Sequence, residues 1–436
     1  RIIGPNCLGF ANTSRALNAS FAHAFPLSGN IAFLSQSGAV CTSVLDLAIR
    51  EKIGLSHVVS LGSMMDVDFA DMIDYLGSLS SVSSIVMYME NITRIRKFMS
   101  AARAVSRLKP IIALKSGRSR AGALAAASHT GALASEDAFY DAAFHRAGIL
   151  RVNDFEELLE CAGFLDKIGK PKGSGLTVIT NAGGPGVMAA DALDAHGLTP
   201  AVLSSDTIEK LNAILPENWS RANPVDILGS TSSEIYLKVV EICSAAPETD
   251  ALLLLCSPVG TMDTIELAKS LAAVLPGLSC PAFTAWIGGG NIEMARTIFI
   301  QAGIAAYDTA ERAVRAFRNL YVYGQQVEAL MEIPVRTDQR LVIDRLKAQY
   351  IIEAALAAGN SSLNEIQAKD LAEAYGIPVN DTRLADCEKK AVALSGQLGY
   401  PAVLKICSHQ ILHKSDCNGV RLNLGTAEAV KAAFQE

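Results

Sequence analysis

Aromatic residues are scarce in this chain, at 6% of 436 residues, while Ala, Gly, Leu and Val dominate. That mix suits helices packed on parallel strands rather than an aromatic-rich β-sandwich. Clustered basic runs are absent and the formal charge is −6. Nucleic acid is therefore excluded as a partner, because phosphate backbones need grouped Lys and Arg. None of the nine cysteines (Cys7, Cys41, Cys161, Cys243, Cys256, Cys280, Cys387, Cys407 and Cys417) stands in a C-x-x-C pair. This argues against a zinc or redox site; no metal ligand is assigned, and a reduced, cytoplasmic core is the reading. No apolar run reaches the ~18 residues a membrane span needs, so no membrane partner is expected. Low-complexity tracts are lacking as well.

What is present is half the chain in hydrophobic residues and 19% in charged ones, enough for several cores. At roughly 150 residues per domain, the length suggests about three. Strand-like runs alternate with helical ones over the first ~330 residues, a doubly wound pattern. Gly29 to Ser35 reads as a strand and Gly38 to Glu51 as a helix with Val40, Val44, Leu45, Leu47 and Ala48 on one face. Strands follow at His57–Leu61, Ser84–Met89 and Pro110–Leu114, with helices at Phe69–Leu79 and Arg94–Leu108. Lys167 to Gly175, rich in Lys, Gly and Pro, reads as a linker. A second series follows, with strands at Leu176–Thr180, Asp250–Cys256 and Ala282–Trp286, closing near Gly324. Residues 326–362 suit a connector. From Leu363 a third unit opens, with a helix over Glu365–Tyr375 stopped at Gly376 and a strand over Tyr400–Ile406. Arg1 begins at what reads as a strand end, and Phe434-Gln435-Glu436 reads as mid-helix. Both ends suggest an internal piece of a longer protein.

Two glycine turns open helices. One is Ser35-Gln36-Ser37-Gly38; the other, Asn181-Ala182-Gly183-Gly184-Pro185-Gly186, precedes a helix expected over Val187–His196. A helix N-terminus offers unpaired N–H groups and about half a positive charge, so either turn can hold a phosphate; a plain tight βα turn uses the same residues. Ser35, Ser37, Gly38, Gly183, Gly184 and Gly186 are the candidate phosphate contacts. His129, in Ala127-Ser128-His129-Thr130-Gly131, stands among small residues. An uncrowded imidazole can act as a nucleophile and carry a phosphoryl group; it can equally be a hydrogen-bonded structural residue. Glu90 follows the strand ending at Met89, where α/β sites gather, and could orient an imidazole or simply be a surface acid. Lys405, with the polar loop running through His409, His413, Lys414, Ser415 and Asp416, could touch nucleotide phosphates or be a solvated loop.

Taken together and in order, these motifs resemble the ADP-forming acyl-CoA synthetases, relatives of succinyl-CoA synthetase. The matching pieces are Gly4-Pro5-Asn6-Cys7-Leu8-Gly9, Phe33 to Ala39, Leu114-Lys115-Ser116-Gly117-Arg118, Ala126 to Leu133, Thr180 to Gly186, Asn223-Pro224-Val225-Asp226 and Leu412 to Asp416. They span nearly the whole chain.

The resemblance implies an α/β architecture: two flavodoxin-like, doubly wound parallel-sheet domains followed by the start of an ATP-grasp domain. Residues 1–12 would be the tail of a CoA-binding Rossmann-like domain. Residues 27–166 would be the flavodoxin-like domain with the phosphohistidine, and 172–325 a second one. Residues 363–436 would begin the ATP-grasp domain. The implied reaction interconverts acyl-CoA, ADP and phosphate with a carboxylic acid, CoA and ATP. His129 would be the phosphorylated residue, Glu90 its orienting acid, His413 a second carrier and Lys405 a nucleotide contact. CoA and ATP or ADP would be bound, with Mg2+ held by residues expected beyond Glu436. The expected partners are a small carboxylic acid or acyl-CoA, phosphate and an adenine nucleotide, in an oligomer. These 436 residues alone would be inactive. Family members often carry Gly-Gly where this chain has Asn418-Gly419, which weakens the case for nucleotide contact there. A competing reading is the CoA-sensing region of a protein lysine acetyltransferase; such relatives lose the active His, and His129 is present. A scaffold that binds acyl-CoA without turnover leaves the phosphate motifs without a role.

Overall fold

Strand β3 (Ser28–Ser35) shows how the first sheet is built. Ile31 and Phe33 enter one apolar cluster and Ala32 and Leu34 another, so both faces of the strand are covered. Its buried part, Ile31 to Ser35, is covered on both sides and reads as a nearly continuous apolar run, as in parallel sheets. The computed structural model describes residues 1–119, 121–122, 124, 137–165, 168–332, 343–408, 411 and 414–436. Two units follow from its contacts, 1–332 and 333–436.

In the first unit, β3 pairs in parallel with β4 (Leu55–Ser60) and β5 (Ser84–Met89), and β5 continues to β6 (Ile111–Lys115) and β7 (Ile149–Val152). The order β4-β3-β5-β6-β7 is the flavodoxin-like 2-1-3-4-5 arrangement. Helices α1 (Gly38–Arg50), α2 (Phe69–Gly77), α3 (Ile95–Val105), α4 (Asp137–Ala147) and α5 (Phe155–Phe164) accompany it. The expected strands and helices appear within a few residues of their sequence boundaries, helix ends shortest because terminal turns fray.

The first dozen residues are part of this sheet. β1 (Gly9–Asn12) pairs antiparallel with β4 and with β2 (Leu17–Ser20). The backbone N–H groups of Ser63, Met65 and Val67 donate to the carbonyls of Pro5, Gly4 and Ile2. Gly62, at φ +56°, accepts this approach: a side chain there would begin 2.2 Å from the Pro5 carbonyl oxygen. Sequence reading gave residues 1–12 as the tail of a CoA-binding domain; in the structure Phe10 to Asn12 pair with β4 and Ile2, Gly4 and Pro5 bond to the loop after it.

The second sheet repeats the order: β9 (Val225–Asp226), β8 (Leu176–Thr180), β10 (Ala251–Cys256), β11 (Ala282–Trp286) and β12 (Ala305–Tyr307), again 2-1-3-4-5. Here α6 (Gly183–Ala195), α7 (Ser205–Asn212), α8 (Ser233–Ser244), α9 (Thr264–Val274) and α10 (Asn291–Gln301) cover the strands. The helix expected from Val187 starts at Gly183 instead, since Pro185 in a first turn forfeits no hydrogen bond. α11 (Ala310–Met331) runs past the expected end at Gly324 because Tyr323, Val327 and Leu330 remain buried. One apolar cluster passes from Phe33 and Leu150 through Leu158 and Phe317 to Val178 and Leu253. The two sheets thus share a core through α5 and α11. Polar groups cross the same seam: Arg312 and Arg315 meet Glu160 at 2.5 and 3.0 Å, and Asn319 donates to Glu157 at 2.8 Å.

In the second unit, α12 (Arg345–Ala357) packs with α13 (Glu365–Ala374), so part of the expected connector belongs to this unit. The Asp344 N–H donates to Ala374 O and Lys347 meets Glu373 at 3.0 Å. α14 (Glu388–Leu398), a two-stranded antiparallel sheet of β13 (Ala402–Lys405) and β14 (Val420–Leu424), and α15 (Ala427–Gln435) complete it.

Candidate active site

At the C-terminal end of β3 the chain turns within two residues into α1. The buried Ser35 hydroxyl donates to Ser37 O at 2.7 Å and accepts from Ser37 N–H at 3.1 Å, a clasp that closes the turn. Ser37 then caps α1 by accepting from Val40 N–H at 3.4 Å. Gln36, between them, reaches across to the loop after β5. Its Oε1 accepts from the N–H groups of Glu90 and Asn91 at 2.9 and 3.1 Å, and its Nε2 donates to Asn91 Oδ1 at 3.0 Å. Two of these bonds fix the backbone that carries Glu90, and the third holds the Asn91 side chain beside it.

Ser37, Gly38 and Glu90 line one cleft of about 840 Å³, joined by Asn6, Cys7, Gln36, Asn91 and the exposed Phe21. Leu8 N–H donates to Ser60 Oγ at 3.0 Å and ties the Gly4–Gly9 segment to the cleft wall. The cleft sits at the C-terminal edge of the parallel strands, where α/β folds place ligands. Of the residues lining it, sequence reading named Ser37, Gly38 and Glu90 as candidates. Gln36, Asn91, Asn6 and Cys7 were not singled out as site residues; the Gly4 to Gly9 motif was the one signal for the last two.

The second turn repeats the first with different residues. Thr180 Oγ1 donates to Ala182 O at 2.7 Å and accepts from Ala182 N–H at 3.1 Å. Asn181 plays the part of Gln36: its Nδ2 donates to Ser257 O and its Oδ1 accepts from Ser257 N–H, both at 2.9 Å. Ala182 is the N-cap of α6 and supplies no side-chain cap, so the helix keeps its N-terminal donors for an outside acceptor. Gly183 and Gly184 are exposed there. Gly186 is not: a side chain on it would begin 3.1 Å from Thr180 and 3.2 Å from Pro224. Its place as a phosphate contact is corrected to a packing role, letting α6 lie close on β8. Ser35 is likewise buried, and shapes its turn from behind. Asp226 Oδ2 lies 3.2 Å from where a side chain on Gly183 would begin, and its Oδ1 accepts from Leu228 N–H at 2.9 Å.

His129 and His413 lie outside the described residues. The flanks of the His129 segment are described. Lys115 ends β6, buried over the Tyr140 ring at 4.5 Å, and burial pushes its ammonium pKa down. Arg151 meets Asp137 at 2.6 Å and Arg118 meets it at 3.8 Å, bracketing residues 119–136. In the second unit, Lys405 stands at the end of β13 and lines a separate cavity of about 960 Å³. Among the described residues no group of three or more His, Cys, Asp or Glu side chains is placed to hold a metal ion, and none of their helices is long and apolar enough to cross a membrane.

Comparison with known proteins adds three family matches along the chain. Residues 28–165 match a succinyl-CoA ligase like flavodoxin domain, 176–331 a Ligase-CoA domain and 354–436 an ATP-grasp domain. An ADP-forming acetate–CoA ligase I from Archaeoglobus fulgidus is 38% identical over 435 residues, 100% of this chain and 62% of the relative. An ADP-forming 4-hydroxybutyrate–CoA ligase from Nitrosopumilus maritimus is 32% identical over 439 residues, covering 100% and 62%. The chain thus spans less than two thirds of the length of these curated relatives. Among solved structures, a dinucleotide-forming acetyl-coenzyme A synthetase 1 from Ca. Korarchaeum cryptofilum, in complex with phosphate and ADP, superposes with a TM-score of 0.71 at 35% identity. The match covers 76% of this chain and 72% of that one.

Proposed function

Since this chain belongs to the ADP-forming acetyl-CoA synthetase family, we propose that its protein interconverts acyl-CoA, phosphate and ADP with a carboxylic acid, CoA and ATP through a phosphohistidine at His129. The observation that carries this is the cleft where Ser37 and Gly38 open α1 beside Glu90, whose backbone Gln36 holds with two hydrogen bonds.

In the forward direction, a phosphate oxygen attacks the thioester carbonyl. The C–S bond breaks, CoA leaves as the thiol with a proton, and an acyl phosphate remains. An imidazole nitrogen of His129 then attacks phosphorus. The P–O bond to the acyl group breaks, the carboxylate departs, and the phosphoryl group rests on His129. An imidazole nitrogen of His413 then attacks that phosphorus and the His129 P–N bond breaks; a terminal phosphate oxygen of ADP finally attacks phosphorus on His413, freeing its imidazole and giving ATP. For these steps the N-terminal N–H groups of α1 and α6 supply donors to the anionic phosphoryl oxygens. The carboxylate of Glu90, on its fixed backbone, accepts the far imidazole N–H and leaves the near nitrogen unprotonated. Lys405 pairs with nucleotide phosphate, and His413 carries the group between sites. ATP-grasp chemistry would draw Mg2+ to the nucleotide phosphates; among the described residues no group of three or more His, Cys, Asp or Glu side chains is placed to hold it. A cytoplasmic setting fits the nine unpaired cysteines. The acyl group is left as a class, a carboxylic acid thioester.

The test is product chemistry with the intact enzyme. Acyl-CoA, phosphate and ADP should yield ATP with the γ-phosphorus drawn from inorganic phosphate. Formation of acyl-adenylate or pyrophosphate instead would refute the reading.

A further inference from the structure

Three lysines converge on one carboxylate in the second unit. Glu365 Oε1 meets Lys405 Nζ at 2.8 Å and Lys369 Nζ at 3.1 Å, and its Oε2 meets Lys414 Nζ at 3.2 Å. The lysines come from three places: α13, the end of β13, and the short turn Lys414–Cys417 before β14. Lys369 is held a second time, donating to Thr382 Oγ1 at 2.6 Å. Glu365 itself is the first residue of α13, behind a capping box of Asn364 and Gln367, where the helix end favours an anion.

Such a cluster is overcharged. Three ammonium groups face one carboxylate, an excess of two positive charges. Like charges gathered this closely repel, and one carboxylate balances one of them. Two other charged pairs beside the cavity, Arg383 with Asp381 and Arg421 with Glu436, are internally neutral. Glu365, Lys369 and Lys405 line a cavity of about 960 Å³ with one positive charge in excess, and Lys414, outside that lining, adds a second through Glu365, a field that favours an anionic ligand.

We infer that Lys369 and Lys414 join Lys405 in binding the phosphate chain of a nucleoside di- or triphosphate, with Glu365 as an internal anion that gathers the three ammonium groups and yields them to the ligand. This rests on the nucleotide-binding reading of Lys405. Lys369 is the residue that the sequence gives least reason to choose, since it lies in an ordinary amphipathic helix 36 positions before Lys405 in the chain. Glu365 competes with the ligand for the same donors, so removing its charge strengthens binding while leaving the lysines less well gathered.

The experiment titrates the intact enzyme calorimetrically with ADP and with inorganic tripolyphosphate. Lys369→Gln and Lys414→Gln should each weaken both ligands roughly tenfold, the scale of one charge-assisted contact. Lys369→Arg and Lys414→Arg, which keep the charge and guard against misfolding as a cause, should stay within about threefold of the parent. Glu365→Gln should tighten tripolyphosphate about threefold. If Lys405→Gln weakens ADP while both Gln variants at 369 and 414 bind normally, the three-lysine clamp is overturned and the nucleotide reading survives. If Lys405→Gln also binds ADP normally, the nucleotide reading falls and the inference with it.

Discussion

The turn after β3 and the turn after β8 do the same work with different residues. In each, a hydroxyl on the last strand residue, Ser35 or Thr180, clasps the N–H and carbonyl two positions on. In each, the next side chain, Gln36 or Asn181, pins the loop beyond the adjacent strand. They part at the N-cap. Ser37 spends its hydroxyl on Val40 N–H, whereas Ala182 has nothing to spend. The first turn is thereby pre-set and carries Glu90 in register; the second keeps its helix donors open and has exposed glycines beside them. Hydrogen bonds are concentrated on the loop that carries Glu90, and the end of α6 is left without a side-chain cap.

Breaking the pin on the first side should have the largest effect. Gln36→Met removes three hydrogen bonds behind Glu90 and should slow phosphoenzyme formation about 10–100-fold, the range for groups that orient a reacting residue. Asn181→Leu should affect that step far less, since the loop it holds carries Ser257 and no acid. Rapid-quench labelling of the two intact variants checks this, and equal losses would erase the distinction.

Cutting the clasps comes next. Ser35→Ala and Thr180→Val each leave an N–H without its partner and should cost about 1–3 kcal/mol. Urea unfolding of both variants, read for each unit, is the measurement. A smaller effect should follow exchanging the caps. Ser37→Ala should destabilise by about 1 kcal/mol, and Ala182→Ser should stabilise by about 0.5–1 kcal/mol while weakening phosphate binding. If Ala182→Ser strengthens phosphate binding, the open helix end is not the receiving surface.

How much of this was legible in the sequence follows from what each signal depends on. The strand Ser28–Ser35 and helix Gly38–Arg50 were legible because burial and 3.6-residue spacing are local. Glu90 was legible because it ends an apolar run. Gln36 was not, because its partners lie 54 and 55 positions away and a Gln after a strand looks like any turn residue. The repeated 2-1-3-4-5 topology left no sequence repeat, since Ser35 and Thr180, or Gln36 and Asn181, are equivalent in hydrogen bonding and not in identity. Gly186 misled for the opposite reason: a glycine beside a phosphate and a glycine under a proline look alike until Pro224 is placed against it.

The smallest effect is set by pH in the second unit. Lys405, with Lys369 and Lys414, holds the Glu365 carboxyl down at about 2, against an ordinary 4.5. Its contribution to stability is therefore present above pH 4.5 and is lost as pH falls from there toward 2. Because the lysines are partly exposed, the change is small and salt-sensitive. Acid titration followed by circular dichroism should show a shallower loss in Glu365→Gln than in the parent.

The central claim is that the phosphoryl group is carried on His129, and labelling tests it most directly. The intact enzyme is incubated with acyl-CoA and labelled phosphate. Acid-labile, base-stable label should appear on the parent and vanish in His129→Asn. Full labelling of His129→Asn at another single residue would contradict the account.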